Sequence, residues 1–193
     1  MSEERPFFGV SEASMLNDVL LIWRFRSGDT DALARIYEDH RQNLLRIAAG
    51  LLNQTAAAED VVHDVFVQLA QSPQKLSLRG NLRSFLATCV VNRVRNTNKS
   101  AQRRRAGSLD QAEAVACDSP GPERWILDNE RFAKLRNALA ELPYEQREVV
   151  VLHLQGGAKF RDIAKSQGVS INTVQSRYRY GLEKLRSLLD GEV

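Results

Sequence analysis

The chain has only two cysteines in 193 residues, Cys89 and Cys117. Two thiols cannot build a disulfide framework, so the fold must rest on apolar packing, and a reducing, cytoplasmic setting is expected. Apolar runs are short as well. Val149-Val150-Val151-Leu152 falls far below the roughly 20 residues that a membrane span needs, so no membrane insertion is expected. The opening Met-Ser-Glu-Glu-Arg is not of signal-peptide type. His40, His63 and His153 lie far apart, and none has a second His or Cys at metal-ligand spacing. No glycine-rich phosphate loop or nucleophile elbow occurs. No catalytic residue, metal or cofactor is therefore expected, and the chain does not read as an enzyme. Cys89 falls on an apolar helical stripe, where a packed thiol is the natural reading.

Charge is plentiful but segregated. The formal net charge is only +3. Yet no acidic residue lies between Asp64 and Asp110, an interval carrying Lys75, Arg79, Arg83, Arg93, Arg95, Lys99, Arg103, Arg104 and Arg105. From Gly107 to Glu123 the pattern inverts, with Asp110, Glu113, Asp118 and Glu123 and no Lys or Arg. Such blocks create local potentials that the net charge hides, and the basic one suits a polyanion.

Alternation of strand type is absent and helical spacing recurs, which predicts an all-α protein. Helices are expected over 14–26, with Leu16, Val19, Leu20 and Trp23 on one face, and over 30–52. A third begins near Thr55 as N-cap and stops at Pro73, burying Val61, Val65, Phe66 and Leu69. A fourth, over 81–105, has Leu82, Phe85, Leu86, Cys89, Val90 and Val94 inward and a cationic second half. Residues 107–122 read as a flexible linker containing Ser119-Pro120-Gly121-Pro122. Further helices are expected over 124–142 and from Pro143 to Leu154, the second closed by Gly156-Gly157.

Phe160 to Tyr180 carries the most specific local signal. Ile163 and small Ala164 sit on a short helix, Gly168 occupies a turn that needs positive φ, and Val169 and Val174 seal the pair. Ser170 is placed to cap the second helix, whose inward stripe is Ile171, Val174, Tyr178, Leu182, Leu185 and Leu189. Its other face offers Asn172, Thr173, Gln175, Ser176, Arg177 and Arg179, side chains able to reach base edges and phosphates in a major groove. A helix-turn-helix is the reading. The alternative is an ordinary helical hairpin with a solvated face.

Leu142-Pro143, Gln146-Arg147-Glu148-Val149, Asp162-Ile163-Ala164, Gly168-Val169-Ser170 and Thr173-Val174-Gln175-Ser176-Arg177 together resemble the C-terminal domain of bacterial sigma factors of the extracytoplasmic-function (ECF) group. The N-terminal half is similar to the same group through Gly28-Asp29 with Ala32, Leu33 and Tyr37, through Ala58-Glu59-Asp60-Val61-Val62 with Asp64 and Phe66, and through Leu82, Phe85-Leu86 and Asn92. The resemblance spans about Leu16 to Leu189.

It implies two small helical domains: an extension over 1–13, a four-helix domain over 14–106 that reads and opens the minus-10 element, the linker, and a helix-turn-helix domain over 123–193 that reads the minus-35 element. Implied minus-35 contacts are Lys159, Arg161, Ser170, Asn172, Thr173, Gln175, Ser176, Arg177 and Arg179. Implied minus-10 contacts are Phe85, Asn92, Arg95, Asn96, Lys99 and Arg103, and implied polymerase-docking residues are Glu59, Asp60, His63 and Asp64. Core RNA polymerase, promoter DNA (duplex and melted strand) and an anti-sigma factor are the implied partners. Phe85 stands where the group commonly has tryptophan, Ala87 where tyrosine is frequent, Asn96 where an acid is frequent and His63 where glutamine is usual. Fewer aromatics leave fewer platforms on which unstacked bases can rest. The residues alone leave other readings open: a solvated face for the acids of the third helix, a solvated run for Arg103-Arg104-Arg105, and a simple tether for the acidic linker. A stand-alone regulator is the other functional class, but the N-terminal half lacks the strand-helix alternation of a phosphoacceptor receiver. A protein-binding adaptor would leave the recognition-helix surface unexplained.

Overall fold

The computed structural model describes residues 12–52, 55–76, 81–107 and 130–190. Among them are eight α-helices and no strand. The N-terminal domain holds α1 (Glu12–Arg26), α2 (Thr30–Leu51), α3 (Thr55–Gln71), a 3-10 turn at Pro73–Lys75, and α4 (Leu82–Gly107). The C-terminal domain holds α5 (Glu130–Ala140), α6 (Tyr144–Leu154), α7 (Phe160–Gln167) and α8 (Ile171–Asp190).

Short polar devices start these helices. Gly28, at φ 100°, turns the chain out of α1. Asp29 then caps α2, its carboxylate accepting from the amides of Asp31 at 3.0 Å and Ala32 at 3.3 Å. Arg24 Nε donates to the same carboxylate at 2.8 Å and holds its pKa below the ordinary value. Asn81 Oδ1 accepts from the Arg83 amide at 2.8 Å and so caps α4. Thr55, expected as a cap, is instead the first helical residue of α3. Gly107, expected in the linker, is the last residue of α4. The rest of that expected linker, and the expected helical turns at 124–129, lie outside the described residues.

Two inward faces differ from expectation. On α1 the buried apolar side chains are Leu21, Ile22 and Phe25, whereas Leu16 and Trp23 are 72% and 66% exposed and Val19 and Leu20 are also exposed. The helix carries two apolar stripes but packs on α2 and the 3-10 turn from one side only, so one stripe is left in solvent. On α8, Val174 and Leu185 are buried and Tyr178 and Leu182 partly so, but Ile171 and Leu189, near its two ends, are exposed.

The two domains are docked, and one apolar core runs through both. The C-terminal half of α2 is buried all round, from Leu44 to Leu52 apart from Arg46. A side chain at Gly50 would meet Leu139 at 3.4 Å and Val151 at 3.6 Å, so this half of α2 lies against α5 and α6. α4 joins the same contact, for a Cβ at Gly156 would lie 2.9 Å from that of Ala87. Val91, outside the expected α4 stripe, is likewise fully buried. Within the C-terminal domain α8 crosses close to α6 at buried Gly181, where a Cβ would come within 2.9 Å of Val150.

Candidate nucleic-acid and polymerase interface

The helix-turn-helix forms by local rules. Gly168 closes α7 at φ 66°, in the left-handed region that an L side chain disfavours. Ser170 Oγ then accepts from the Thr173 amide at 3.1 Å and shares a hydrogen bond of 2.9 Å with Thr173 Oγ1. Ile163, Ala164 and Val174 are buried between the helices. His153, Phe160 and Tyr178 stack behind them, with ring centroids 4.2 to 5.2 Å apart, and His153 Nδ1–H donates to Ala158 O at 2.8 Å.

The first turns of α8 are therefore held rigidly with their polar side outward. Asn172, Gln175, Ser176 and Arg179 are exposed, as are Ser170 and, beside them, Lys159 and Arg161. Thr173 and Arg177 are half-buried. Arg177 Nη1 donates to Gln167 Oε1 of α7 at 2.7 Å, and Arg179 lies over the ring of Tyr180, 5.0 Å from its centroid.

On α4 the expected residues separate by depth. Asn92, Asn96 and Lys99 are exposed, Phe85 and Arg95 are half-buried, and the side chain of Arg103 lies outside the described residues. Phe85, Cys89, Asn92 and Asn96 line a cleft of about 200 Å³ whose other wall includes Val65 and Leu69 of α3. Burial pushes the Cys89 thiol up to about 11, so it stays protonated at neutral pH. The cleft has an aromatic edge, an apolar floor, and the amides of Gln68, Asn92 and Asn96 with the Arg93 guanidinium around it.

On α3, Asp60 and His63 are exposed and Glu59 and Asp64 half-buried, all within about two helical turns. Arg93 of α4 reaches Asp64, with Nε donating at 3.0 Å. That pair is 37% and 41% exposed, so it holds little energy and leaves most of the acidic face to a partner.

Between the domains lies a polar cluster absent from the expectations. Glu148 of α6, 2% exposed, accepts from both Nε (2.8 Å) and Nη2 of Arg95. Gln167 Nε2 donates to the same carboxylate at 2.7 Å. Arg95 Nη1 also donates to Ser166 O and to Asn92 Oδ1, each at 3.2 Å. The Glu148 carboxylate raises the pKa of the Arg95 guanidinium above its ordinary value. Arg83 makes a second bridge, Nε donating to Gln155 O at 2.9 Å and Nη2 to Asn43 Oδ1 at 3.1 Å.

Residues 36–104 match the family described as Sigma-70 region 2, and residues 132–185 match Sigma-70, region 4. The chain is 31% identical to the ECF RNA polymerase sigma factor SigL of Mycobacterium tuberculosis over 156 residues, 80% of this chain and 86% of that one. It belongs to the ECF family of sigma-70 factors. It is also 26% identical to the RNA polymerase sigma factor CnrH of Cupriavidus metallidurans over 182 residues, covering 91% and 95% of the two chains. Two solved structures share its fold. CnrH in complex with the cytosolic domain of CnrY superposes at a TM-score of 0.65, with 21% identity and 92% and 99% of the chains covered. The sigma factor RpoE in complex with the anti-sigma factor NepR, from Bartonella quintana, gives 0.54, with 20% identity and 93% and 98% covered. As an ECF sigma factor this chain is a promoter-specific transcription initiation factor and not an enzyme, acting with core RNA polymerase and promoter DNA. No helix among its described residues is long and apolar enough to cross a membrane.

The sigma factor's expected residues thus form three groups: a compact patch on α7 and α8, a line along α4, and a patch on α3. Sequence reasoning missed Glu148 and Gln167. One signal for Glu148 was present: it immediately precedes four apolar residues, and a helix of that composition has no wholly polar face on which to leave it.

Proposed function

We propose that this sigma factor, acting in the cytoplasm, docks on core polymerase through Glu59, Asp60, His63 and Asp64 and reads two promoter elements. On this view 14–106 and 123–193 act as the two domains, with the acidic linker 107–122 between them. In this reading α8 enters the major groove of the minus-35 element. Asn172, Thr173, Gln175 and Ser176 meet base edges there, and Ser170, Arg177, Arg179, Lys159 and Arg161 meet phosphates or guanines. α4 meets the minus-10 element, where Phe85, Asn92 and Asn96 take an unstacked base and Arg95, Lys99 and Arg103 track phosphates as the strands part. An anti-sigma factor is the regulatory partner.

The observation that carries this is the placement of an acidic, partner-ready face on α3 directly beside α4, in a chain whose other domain ends in a capped helix-turn-helix. Run-off transcription with core polymerase on genomic fragments, followed by start-site mapping, tests it. Asp60→Lys combined with Asp64→Lys should abolish co-purification with core while the helical circular dichroism is kept. Unchanged core binding by the folded double variant refutes the docking assignment. Tight, specific duplex binding by the chain without core would point instead to a stand-alone regulator.

A further inference from the structure

Arg177 on α8 is the last member of a relay that begins on the buried side of α6. Glu148, 2% exposed, accepts from Gln167 Nε2 of α7 at 2.7 Å, and Gln167 Oε1 accepts from Arg177 Nη1 at 2.7 Å. All three side chains belong to the C-terminal domain. The two ends of the relay fix the amide in its middle. A carboxylate can only accept and a guanidinium can only donate, so Gln167 turns its NH2 to Glu148 and its carbonyl to Arg177. The orientation of this half-buried amide is thus settled from both sides.

An amide in that place has an electrostatic consequence. Arg93 and Arg95 are each held directly by a carboxylate, which offsets part of their charge. Arg177 is held by a neutral carbonyl, so its position is fixed and its charge is kept. The bond takes one proton of Nη1 and leaves the Nε–Nη2 edge, two parallel N–H groups in one plane. A phosphate attracts a swinging arginine nearly as well as a fixed one, because that attraction depends on distance more than on plane. A guanine edge takes both N–H groups, at O6 and N7, only when the plane is set. We propose that Gln167 is a positioning residue: it sets the plane of Arg177, and thereby the preference for guanine at one base pair of the minus-35 element. It acts through Arg177 and needs no contact with DNA of its own. The inference rests on the proposed placement of α8 in the major groove, whereas the relay itself lies wholly within one domain.

The test is binding of holoenzyme to a mapped promoter and to its single-base-pair variants across the minus-35 element. Gln167→Met keeps the length of the side chain and loses both hydrogen bonds. Affinity for the mapped promoter should fall roughly 2- to 10-fold, the cost of ordering one rotamer-rich side chain at the moment of binding. Preference for guanine should weaken at one position, the same one that Arg177→Ala relaxes, and persist at the others. In the Arg177→Ala background Gln167→Met should change nothing further, because the side chain through which it acts is gone. A merely structural role would lower the thermal midpoint and weaken all sequences alike, with the two losses additive, and that pattern overturns the proposal. Unchanged binding and preference in the folded variant overturn it as well. If Gln167→Met does not fold, Gln167→Ala, which removes the amide without adding bulk, carries the same cycle. If Arg177→Ala itself leaves promoter binding unchanged, the assignment of Arg177 to DNA fails and the inference falls with it.

Discussion

On α4, Arg93 and Arg95 are held by carboxylates of two other helices, Asp64 of α3 and Glu148 of α6, whereas on α8 the side chains Asn172, Gln175 and Ser176 stand in solvent. Both helices are proposed to face DNA, and each has a polar cap at its start, Asn81 or Ser170. What differs is how the surface is made. The α8 surface follows from a stretch of some twenty residues, because glycine, cap and apolar stripe fix the pose of the helix. The α4 surface is set by what packs against it, since one side lines a cleft with α3 and another lies on the C-terminal domain. A local surface survives as a motif, while a tertiary one depends on the neighbours that pack against it.

The largest expected effect tests whether the two regions share one core. Ile163, 1% exposed beneath α8, should cost about 2–5 kcal/mol when replaced in Ile163→Ala. Urea unfolding followed by far-ultraviolet circular dichroism should show the whole chain shifting as one transition. Two separate transitions in the wild type would break the picture of a continuous core.

A second substitution sharpens the functional side of the contrast. Arg177→Ala should cost roughly 1–3 kcal/mol in binding of holoenzyme to a mapped promoter and relax preference at one base pair if the side chain reads a base. A uniform loss across sequences, with a salt slope lower by about 1, would mark a phosphate contact instead. If Asn172→Ala, Ser176→Ala and Arg177→Ala, all folded, leave transcription unchanged, α8 does not read the promoter.

The two caps form a matched pair. Ser170→Ala and Asn81→Ala should each lower stability by about 0.5–2 kcal/mol in thermal or urea unfolding. Only Ser170→Ala should also weaken binding to the minus-35 element, because Ser170 is itself assigned to that contact and caps a locally made surface, whereas α4 is also held by α3 and by the C-terminal domain. Equal effects on promoter binding would erase the distinction between a locally made surface and a packed one.

The smallest effect concerns the N-terminal domain alone. Burial lowers the pKa of His40 below its ordinary 6.5, with Asp18 and Asp39 opposing the shift and Arg83 adding to it. The folded state therefore disfavours the charged ring, so this contribution to stability is full above pH 6.5 and is lost as pH falls through the lower folded value. Asp18, raised by burial, acts in the opposite sense within the carboxylate range. His40→Gln should flatten the loss of stability between pH 7 and about 5, as read from urea midpoints. An unchanged slope would show that the ring is not the group responsible.

Much of this architecture was legible beforehand. The order of the helices, the left-handed Gly168, the Ser170 cap and the α3 stripe of Val61, Val65, Phe66 and Leu69 all follow from spacing and backbone preference. The face of α1 did not follow, because two stripes of similar quality compete on one helix and only the neighbour chooses between them. Periodicity alone points Ile171 and Leu189 inward, because the apolar stripe continues past the point where α8 still has a partner beneath it. The apolar neighbours of Glu148 hint at its burial, but they do not name its partner, and nothing short of the docked domains brings it to Arg95. Ala87 and Val91 failed to register for the same reason: they are buried on a side of α4 that the helix pattern left out.

The burial of the C-terminal half of α2, from Leu44 to Leu51 apart from Arg46, has a consequence for the chain's biogenesis. Gly50 finds Val151 about a hundred residues later in the sequence, so at ribosomal rates of about 5–20 residues per second its second face is without that cover for roughly 5–20 s. During that interval the nascent N-terminal half displays a greasy ridge with no protein of its own to cover it. The order of synthesis thus exposes, for a time, a surface that the finished fold hides completely.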